Sequence, residues 1–266
     1  MKLGFIGTGN MGGAIIKGYI KANPLNAKEV YAFDKNEEKL SNMVTELGLN
    51  PCKSINELVK CSDVIVIAVK PNVYEVVLPE LKSALSNNKI VVSMAAGMSI
   101  NFIESFLGSD AKIIRIMPNT PAMVNESMTA VCKNQNVTDK EFSPVFEIFK
   151  TIGKAEVISE DMIHTIIGIS GSSPAYAYMF IEALIDGAVK NGMTKEQATV
   201  FAAQSVLGAS KMVLETDIDP VQLRINVCSP GGTTIEAVNV LKESDFHENI
   251  VNAMEAAIEK SKIMTR

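Results

Sequence analysis

The sequence predicts an α/β protein: an N-terminal doubly wound sheet followed by an all-helical C-terminal domain. Three observations carry that prediction. Short apolar runs alternate with helical patterns through the first half of the chain. Several of these runs are apolar on consecutive residues, as strands buried on both faces of a parallel sheet require. Past about residue 160 the strand pattern stops and only helical periodicity remains. The expected division is therefore 1–160 and 161–266.

In order, KLGFIG (2–7), EVYAFD (29–34), DVIVIAVK (63–70), KIVVSMAA (89–96) and KIIRIMP (112–118) read as strands. Between them, NEEKLSNMVTEL ends at Gly48, a glycine suited to a helix C-cap. Ser54 with Glu57 forms a capping-box pattern, and Pro71 suits a first helical turn. MTAVCK (128–133) and KAEVI (154–158) flank a helix around 139–151. In the second half, SSPAYAYMFIEALIDGAVKNGM is apolar nearly all round through its first half, as a helix buried on all sides is. Its cover is either the rest of the helical domain or a second subunit, and the second is expected because so small a bundle has little room to enclose it. Thr194 with Gln197, Thr233 with Glu236, and Asp245 with Glu248 repeat the capping-box signature. Asp219 and Pro220 read as N-cap and first turn of a short helix.

Bulk composition excludes several function classes. With 47% hydrophobic residues in 266, the chain can bury a sizeable core. A net charge of -5 leaves no basic footprint for nucleic acid or an anionic membrane. The four cysteines form no CxxC pair and have no metal-ligand spacing with the two histidines, so no metal site is expected. They read as reduced thiols of a cytoplasmic protein, and neither a secretory leader nor a membrane-length apolar run is seen. His164 and His247 stand at helix starts and read as surface or capping residues.

The chemistry concentrates in glycine-rich turns. GFIGTGNMGG places Gly7, Gly9 and Gly12 in a GxGxxG pattern between an apolar strand and a helix. Gly7 suits the tight turn, Gly9 the approach of a pyrophosphate, and Gly12 close packing of helix on strand. Thr8, Asn10 and Met11 complete the loop, and the helix behind offers free N–H groups to phosphates. Asp34 ends the second strand, about 20 residues further on, where an acid reads the ribose 2′-OH. A carboxylate there should repel a 2′-phosphate, and Lys35 beside it can offset the repulsion, so NADH and NADPH both stay open. Two further strand exits, Ala68-Val69-Lys70-Pro71 and Ala95-Ala96-Gly97, fall on the carboxyl edge where open sheets bind ligands. The loop MPNTPA (117–122) offers Asn119 and Thr120 at the same edge. With no GxSxG, HExxH or NTPase loop, hydride transfer is the leading reaction class.

A second cradle lies at CSPGGTT (228–234). Pro230 stiffens the turn, Gly231 and Gly232 clear side chains from it, and Thr233 is the expected N-cap. Free amides at such a helix start can hold a carboxylate without a cation, and Thr234 adds a hydroxyl; a plain capped turn is the equal alternative.

Taken in order, GFIGTGNMG, AVKP, AAG, MPNTPA, GISGSSPAYAYMFIEAL and NVCSPGGTTIEAVNVL resemble the signature of pyrroline-5-carboxylate reductases over essentially the whole chain. The resemblance implies reduction of the C=N bond of Δ1-pyrroline-5-carboxylate to L-proline with NADPH or NADH. It implies an N-terminal Rossmann domain and a helical domain that interlocks subunits into homodimers, in some members built further into decamers. It assigns Gly7 to Met11 to the pyrophosphate, and Ala68 to Pro71 and Ala95 to Gly97 to the nicotinamide side. Ser229, Gly231, Gly232 and Thr233 then hold the substrate carboxylate. Thr234 bonds the ring nitrogen and is the candidate proton donor, with protonation of that nitrogen in solution as the alternative. The sequence pattern itself also leaves open a related imine or β-hydroxyacid reductase, which would be expected to carry a lysine early on the first long C-terminal helix, where this chain has only Lys190 at its end. A cofactor-sensing binding protein is the other open reading.

Overall fold

The computed structural model describes residues 1–266. Its first elements alternate as the sequence predicts: β1 (Leu3–Ile6), α1 (Asn10–Ala22), β2 (Val30–Phe33), α2 (Glu37–Leu47), β3 (Asn50–Pro51), α3 (Ile55–Cys61), β4 (Val64–Ile67), α4 (Tyr74–Ala84), β5 (Ile90–Ser93), α5 (Ile100–Leu107) and β6 (Lys112–Met117). Then follow β7 (Ser127–Lys133), α6 (Asp139–Lys150), β8 (Gly153–Val157) and the short α7 (Ile163–Ile166). Gly48 closes α2 in the left-handed conformation at φ 70°, and Ser54 caps α3 by accepting from Glu57 N.

The eight strands lie in the order β3-β2-β1-β4-β5-β6-β7-β8. β1 pairs in parallel with both β2 and β4, which makes their junction the topological switch point of the sheet. The doubly apolar strands supply two cores because side chains alternate between faces. Leu3, Phe5, Val64 and Val66 meet Ile15, Leu40 and Phe149 on one face. Ile6, Ile65 and Ile67 meet Leu58, Leu78 and Ile103 on the other. The sheet is not wholly parallel: β7 runs antiparallel to β6 and parallel to β8. β3 and α5 are elements that the sequence reading did not place. β3 is too short to show a period, whereas α5 carries a signal, with Ser99 as N-cap accepting from Phe102 N and Ile100, Ile103 and Leu107 on one buried face.

Two compact units emerge, residues 1–172 with 256–266, and residues 173–255. The expected division at 160/161 does not coincide with them. Residues 161–172 stay with the sheet because Ile163 is fully buried in its core and Asn119 Nδ2 donates to Ser170 O at 3.0 Å. Residues 256–266 do so because Arg266 N donates to Gly97 O at 2.8 Å.

The second unit is helical: α8 (Ser173–Lys190), α9 (Lys195–Glu215), α10 (Pro220–Val227), α11 (Thr233–Glu243) and the start of α12 (Phe246–Met264). Thr194 and Gln197 form the expected capping box on α9, and Asp219 caps α10 by accepting from Val221 N. Two expected boxes do not form. The N-cap of α11 is Gly232 rather than Thr233, since the turn already places Gly232 in the extended conformation and Thr233 is helical. Asp245 sits at φ 53°, outside the extended conformation an N-cap needs. α8 packs on α9, yet no α8 residue is buried, and Tyr178 and Met179 are 59% and 69% exposed. No helix is long and apolar enough to cross a membrane.

Candidate cofactor and substrate sites

The glycine loop after β1 has the shape of a phosphate cradle. Gly7 takes φ 100° and its amide donates to Phe33 O at 2.8 Å, which ties the turn to β2. A Cβ on Gly12 would lie 2.6 Å from Gly7 O and 2.8 Å from Ala68 Cβ, so α1 approaches the strand ends closely only because residue 12 lacks one. A Cβ on Gly9 would meet nothing within 4 Å: that side is open. Gly9 is also the N-cap of α1 and no side chain caps it, so the first-turn amides of Asn10, Met11 and Gly12 have no side-chain acceptor. This open, uncapped helix start fits a bound pyrophosphate. The cleft over it has a volume of ≈ 320 Å³ and is lined by Thr8, Gly9, Asn10, Lys17, Lys39 and Met123, among others.

Asp34 closes the far end of the loop. Thr8 N and Thr8 Oγ1 donate to its Oδ2 at 2.6 and 2.8 Å, and Asn36 N donates to Oδ1 at 2.9 Å. Burial acts to raise the Asp34 pKa, but those hydrogen bonds and the Lys39 charge outweigh it and hold the carboxyl below its ordinary value. Lys35 is exposed and does not line the cleft. Lys39, which the sequence reading did not single out, does line it. Its position was legible in principle, because Asn36 caps α2 by accepting from Lys39 N and so fixes Lys39 in the first turn.

The other strand exits border the same edge. Ala68 N donates to Ile6 O at 2.8 Å, Val69 is partly covered, and Pro71 opens a turn of 3₁₀ helix after the exposed Lys70. Ala95 and Gly97 are buried and Ala96 is half-buried. Beneath them Tyr74 OH donates to Ile67 O at 3.1 Å and lies 3.0 Å from Ser93 Oγ; burial pushes its pKa up to about 12, so it is a structural phenol rather than an acid catalyst. Asn119 is committed internally: Oδ1 accepts from Met128 N at 3.0 Å and Nδ2 holds Ser170 O. Thr120 stays exposed at that edge. His164 is half-buried: its Nδ1 lies 2.9 Å from Ser261 Oγ, and burial lowers its pKa. Burial also pushes the Cys52 and Cys132 thiols up to about 12, which removes them as nucleophiles.

In the helical unit, Gly231 takes φ 70° and Gly232 N donates to Ser229 O at 3.0 Å. The amide expected from Gly232 for a ligand is thus spent in closing the turn. No side chain caps α11, which leaves the first-turn amides of Thr233 and Thr234 as the donors of the cradle. Ser229, Gly231, Thr233 and Thr234 are exposed. A small carboxylate suits this helix start for the same reason that a phosphate suits α1.

Comparison with known proteins bears on both sites. Residues 160–264 match the family model described as pyrroline-5-carboxylate reductase dimerisation, and residues 2–97 match the one described as NADP oxidoreductase coenzyme F420-dependent. A pyrroline-5-carboxylate reductase of Escherichia coli (strain K12) is 46% identical over 265 residues, 100% of this chain and 98% of the relative. The structure of a pyrroline-5-carboxylate reductase from Coxiella burnetii superposes with a TM-score of 0.92 at 35% identity, covering 100% of this chain and 98% of that one. The crystal structure of Plasmodium falciparum pyrroline carboxylate reductase with NADP bound gives 0.91 at 36% identity, again with 100% and 98% coverage. With identity of this order sustained from end to end, the chain belongs to the pyrroline-5-carboxylate reductase family.

Proposed function

We propose that this protein reduces the C=N bond of Δ1-pyrroline-5-carboxylate to give L-proline, the last step of proline biosynthesis, with NADPH or NADH as reductant. The observation that carries the reading is the pairing, in a chain of this family, of two uncapped helix starts: one open to a pyrophosphate at Gly9, one to a carboxylate at Thr233. The relative solved with NADP bound supports the cofactor class.

In this reading the first-turn amides of α1 hold the pyrophosphate and Asp34 meets the adenine ribose. Lys39 in the cleft offsets the repulsion that Asp34 would exert on a 2′-phosphate. Ala68–Pro71 and Ala95–Gly97 border the nicotinamide. When bound, the reduced nicotinamide supplies the hydride that becomes the new C–H bond at the imine carbon. The rest falls to this chain. The amides of Thr233 and Thr234, with the Ser229 hydroxyl, hold the carboxylate over a turn that Gly231 and Gly232 keep free of side chains. The Thr234 hydroxyl donates to the ring nitrogen. As the hydride adds to carbon and the C=N π pair moves onto that nitrogen, the nitrogen takes the Thr234 proton, which solvent replaces, or carries one already gained in solution. The division of the chain at 160/161 into a cofactor part and a substrate and dimerisation part is supported by the family match that begins at residue 160.

The exposed apolar side chains of α8 support a homodimer in which a second copy covers them, and assembly of dimers into a decamer belongs to the same proposal. Light scattering of the purified protein measures the assembly. For the reaction, the protein should oxidise NADPH or NADH only when pyrroline-5-carboxylate is added, with L-proline as product. No turnover with either cofactor would overturn the reading.

A further inference from the structure

The end of α12 belongs to the same compact unit as the sheet, and it rests on the loop that leaves β5. Gly97 stands in that loop at φ 78°, and a Cβ there would come within 2.5 Å of the Met264 carbonyl oxygen. Helix backbone therefore packs directly on Gly97, and any side chain at 97 would push the two apart. Two hydrogen bonds fix the contact: Arg266 N donates to Gly97 O at 2.8 Å, and Ser99 Oγ donates to Arg266 O at 2.7 Å. The Arg266 guanidinium also pairs with Glu75 in the first turn of α4, just past the exit of β4. One residue thus ties together the exits of two neighbouring strands.

The same loop is held from its other side. Glu160 Oε1 accepts from Ile100 N at 2.8 Å and from Arg115 Nη1 at 2.7 Å. Arg115 is only 2% exposed, so this anchor is a buried charge that cannot move without leaving its carboxylate.

We infer that Gly97, Ser99 and Arg266 are positioning residues: they hold the exits of β4 and β5 at a fixed spacing, so that the slot for the nicotinamide ring is formed before the cofactor arrives. The inference rests on the reading of Ala68–Pro71 and Ala95–Gly97 as the nicotinamide side. Hydride transfer needs reacting atoms about 3–3.5 Å apart, and supporting groups must hold such a site to within about 0.5 Å. A loosened loop therefore costs cofactor affinity and rate while the sheet below stays folded. The Arg266–Glu75 pair is half exposed, so its loss should barely move global stability.

The test uses Arg266→Glu, Glu75→Arg, the double exchange of the two, and Gly97→Ala. The readings are the dissociation constant of NADPH from fluorescence titration, kcat and KM with pyrroline-5-carboxylate, and the thermal midpoint. Each single charge variant should weaken NADPH binding roughly 3–5-fold with little change in midpoint, the size expected of an exposed pair. The double exchange should bring binding back to within about twofold of wild type. Gly97→Ala should weaken binding by about tenfold or more, since its Cβ meets backbone. Unchanged binding in both Arg266→Glu and Gly97→Ala overturns the inference, as does a loss that the exchange does not restore. A wild-type protein that binds NADPH without reducing the imine overturns the proposed reaction but leaves this titration decisive. A wild-type protein that binds neither nicotinamide cofactor overturns both.

Discussion

The Thr8 hydroxyl and the Thr8 amide donate to the same oxygen of Asp34, at 2.8 and 2.6 Å. The acid expected to read the ribose is thereby built into the glycine loop proposed to hold the pyrophosphate, and the two must respond together. Asp34→Ser keeps a hydroxyl for the ribose and removes the charge. We expect the ratio of kcat/KM for NADPH to that for NADH to rise about tenfold, equivalent to ~1.4 kcal/mol. An unchanged ratio would show that Asp34 does not read the ribose. The pH dependence has a definite sign. The folded-state pKa lies below the ordinary 3.8, so the stabilisation is complete above that value and is lost as pH falls through the folded-state value.

Gly9 and Gly12 separate binding from folding. Gly12→Ala must displace backbone at Gly7 O, and overpacking of this kind costs about 1–3 kcal/mol, or a fall in Tm of roughly 2–10 °C. Gly9→Ala adds a methyl to open space, so Tm should hold while the KM for the cofactor rises about tenfold or more. Equal effects of the two variants on Tm would contradict the geometry of the loop.

Thr234→Ala removes the one hydroxyl assigned to the ring nitrogen. Donors that act in the transition state are worth a few kcal/mol, so kcat/KM should drop by roughly 10–100-fold or more. An unaltered rate would take Thr234 out of the mechanism. Gly231→Ala acts differently: φ 70° costs a Cβ residue about 1–2 kcal/mol, and the expected result is a raised KM for the substrate from a displaced turn.

Lys112 Nζ lies 2.5 Å from Glu141 Oε1, and Thr138 donates to Glu141 through both its hydroxyl and its amide. The Lys112 hydrogen bond, then those from Thr138, bring the Glu141 pKa from 4.5 down to about 2. Glu141 therefore stabilises the fold above pH 4.5, and that contribution is lost progressively as pH falls toward 2. Denaturant unfolding of the Glu141→Gln variant should show a deficit against wild type at neutral pH that narrows in acid. A deficit independent of pH would count against the charge as its source.

Local pattern made much of this molecule legible. The strand, glycine loop and helix around Gly7 to Gly12 follow from residues adjacent in sequence, and so do the caps at Ser54, Thr194 and Asp219. The direction of β7 was hidden, because a buried strand has the same composition whichever way it runs. The N-cap of α11 was displaced by one residue, since a left-handed Gly231 sets up Gly232 as the cap and the threonine next to it looks equally suited. The contact of Gly97 with Met264 joins the loop after β5 to the end of α12, far apart in sequence, and nothing in either neighbourhood announces it. Likewise Asn119 looked free for a ligand because Ser170 lies 51 residues on and Met128 reaches it only once β7 folds back antiparallel on β6.

The two borders of the sheet have a consequence for self-association. β3 offers only Asn50 and Pro51, and a proline has no N–H to donate to a docking strand. At the other border, β8 exposes Lys154 and Glu156, whose charges would have to be stripped of water by any chain that added itself there. Neither margin is a template for runaway cross-strand growth, so copies of this chain meeting in a crowded cell are steered away from fibre-like stacking and toward association through their helices.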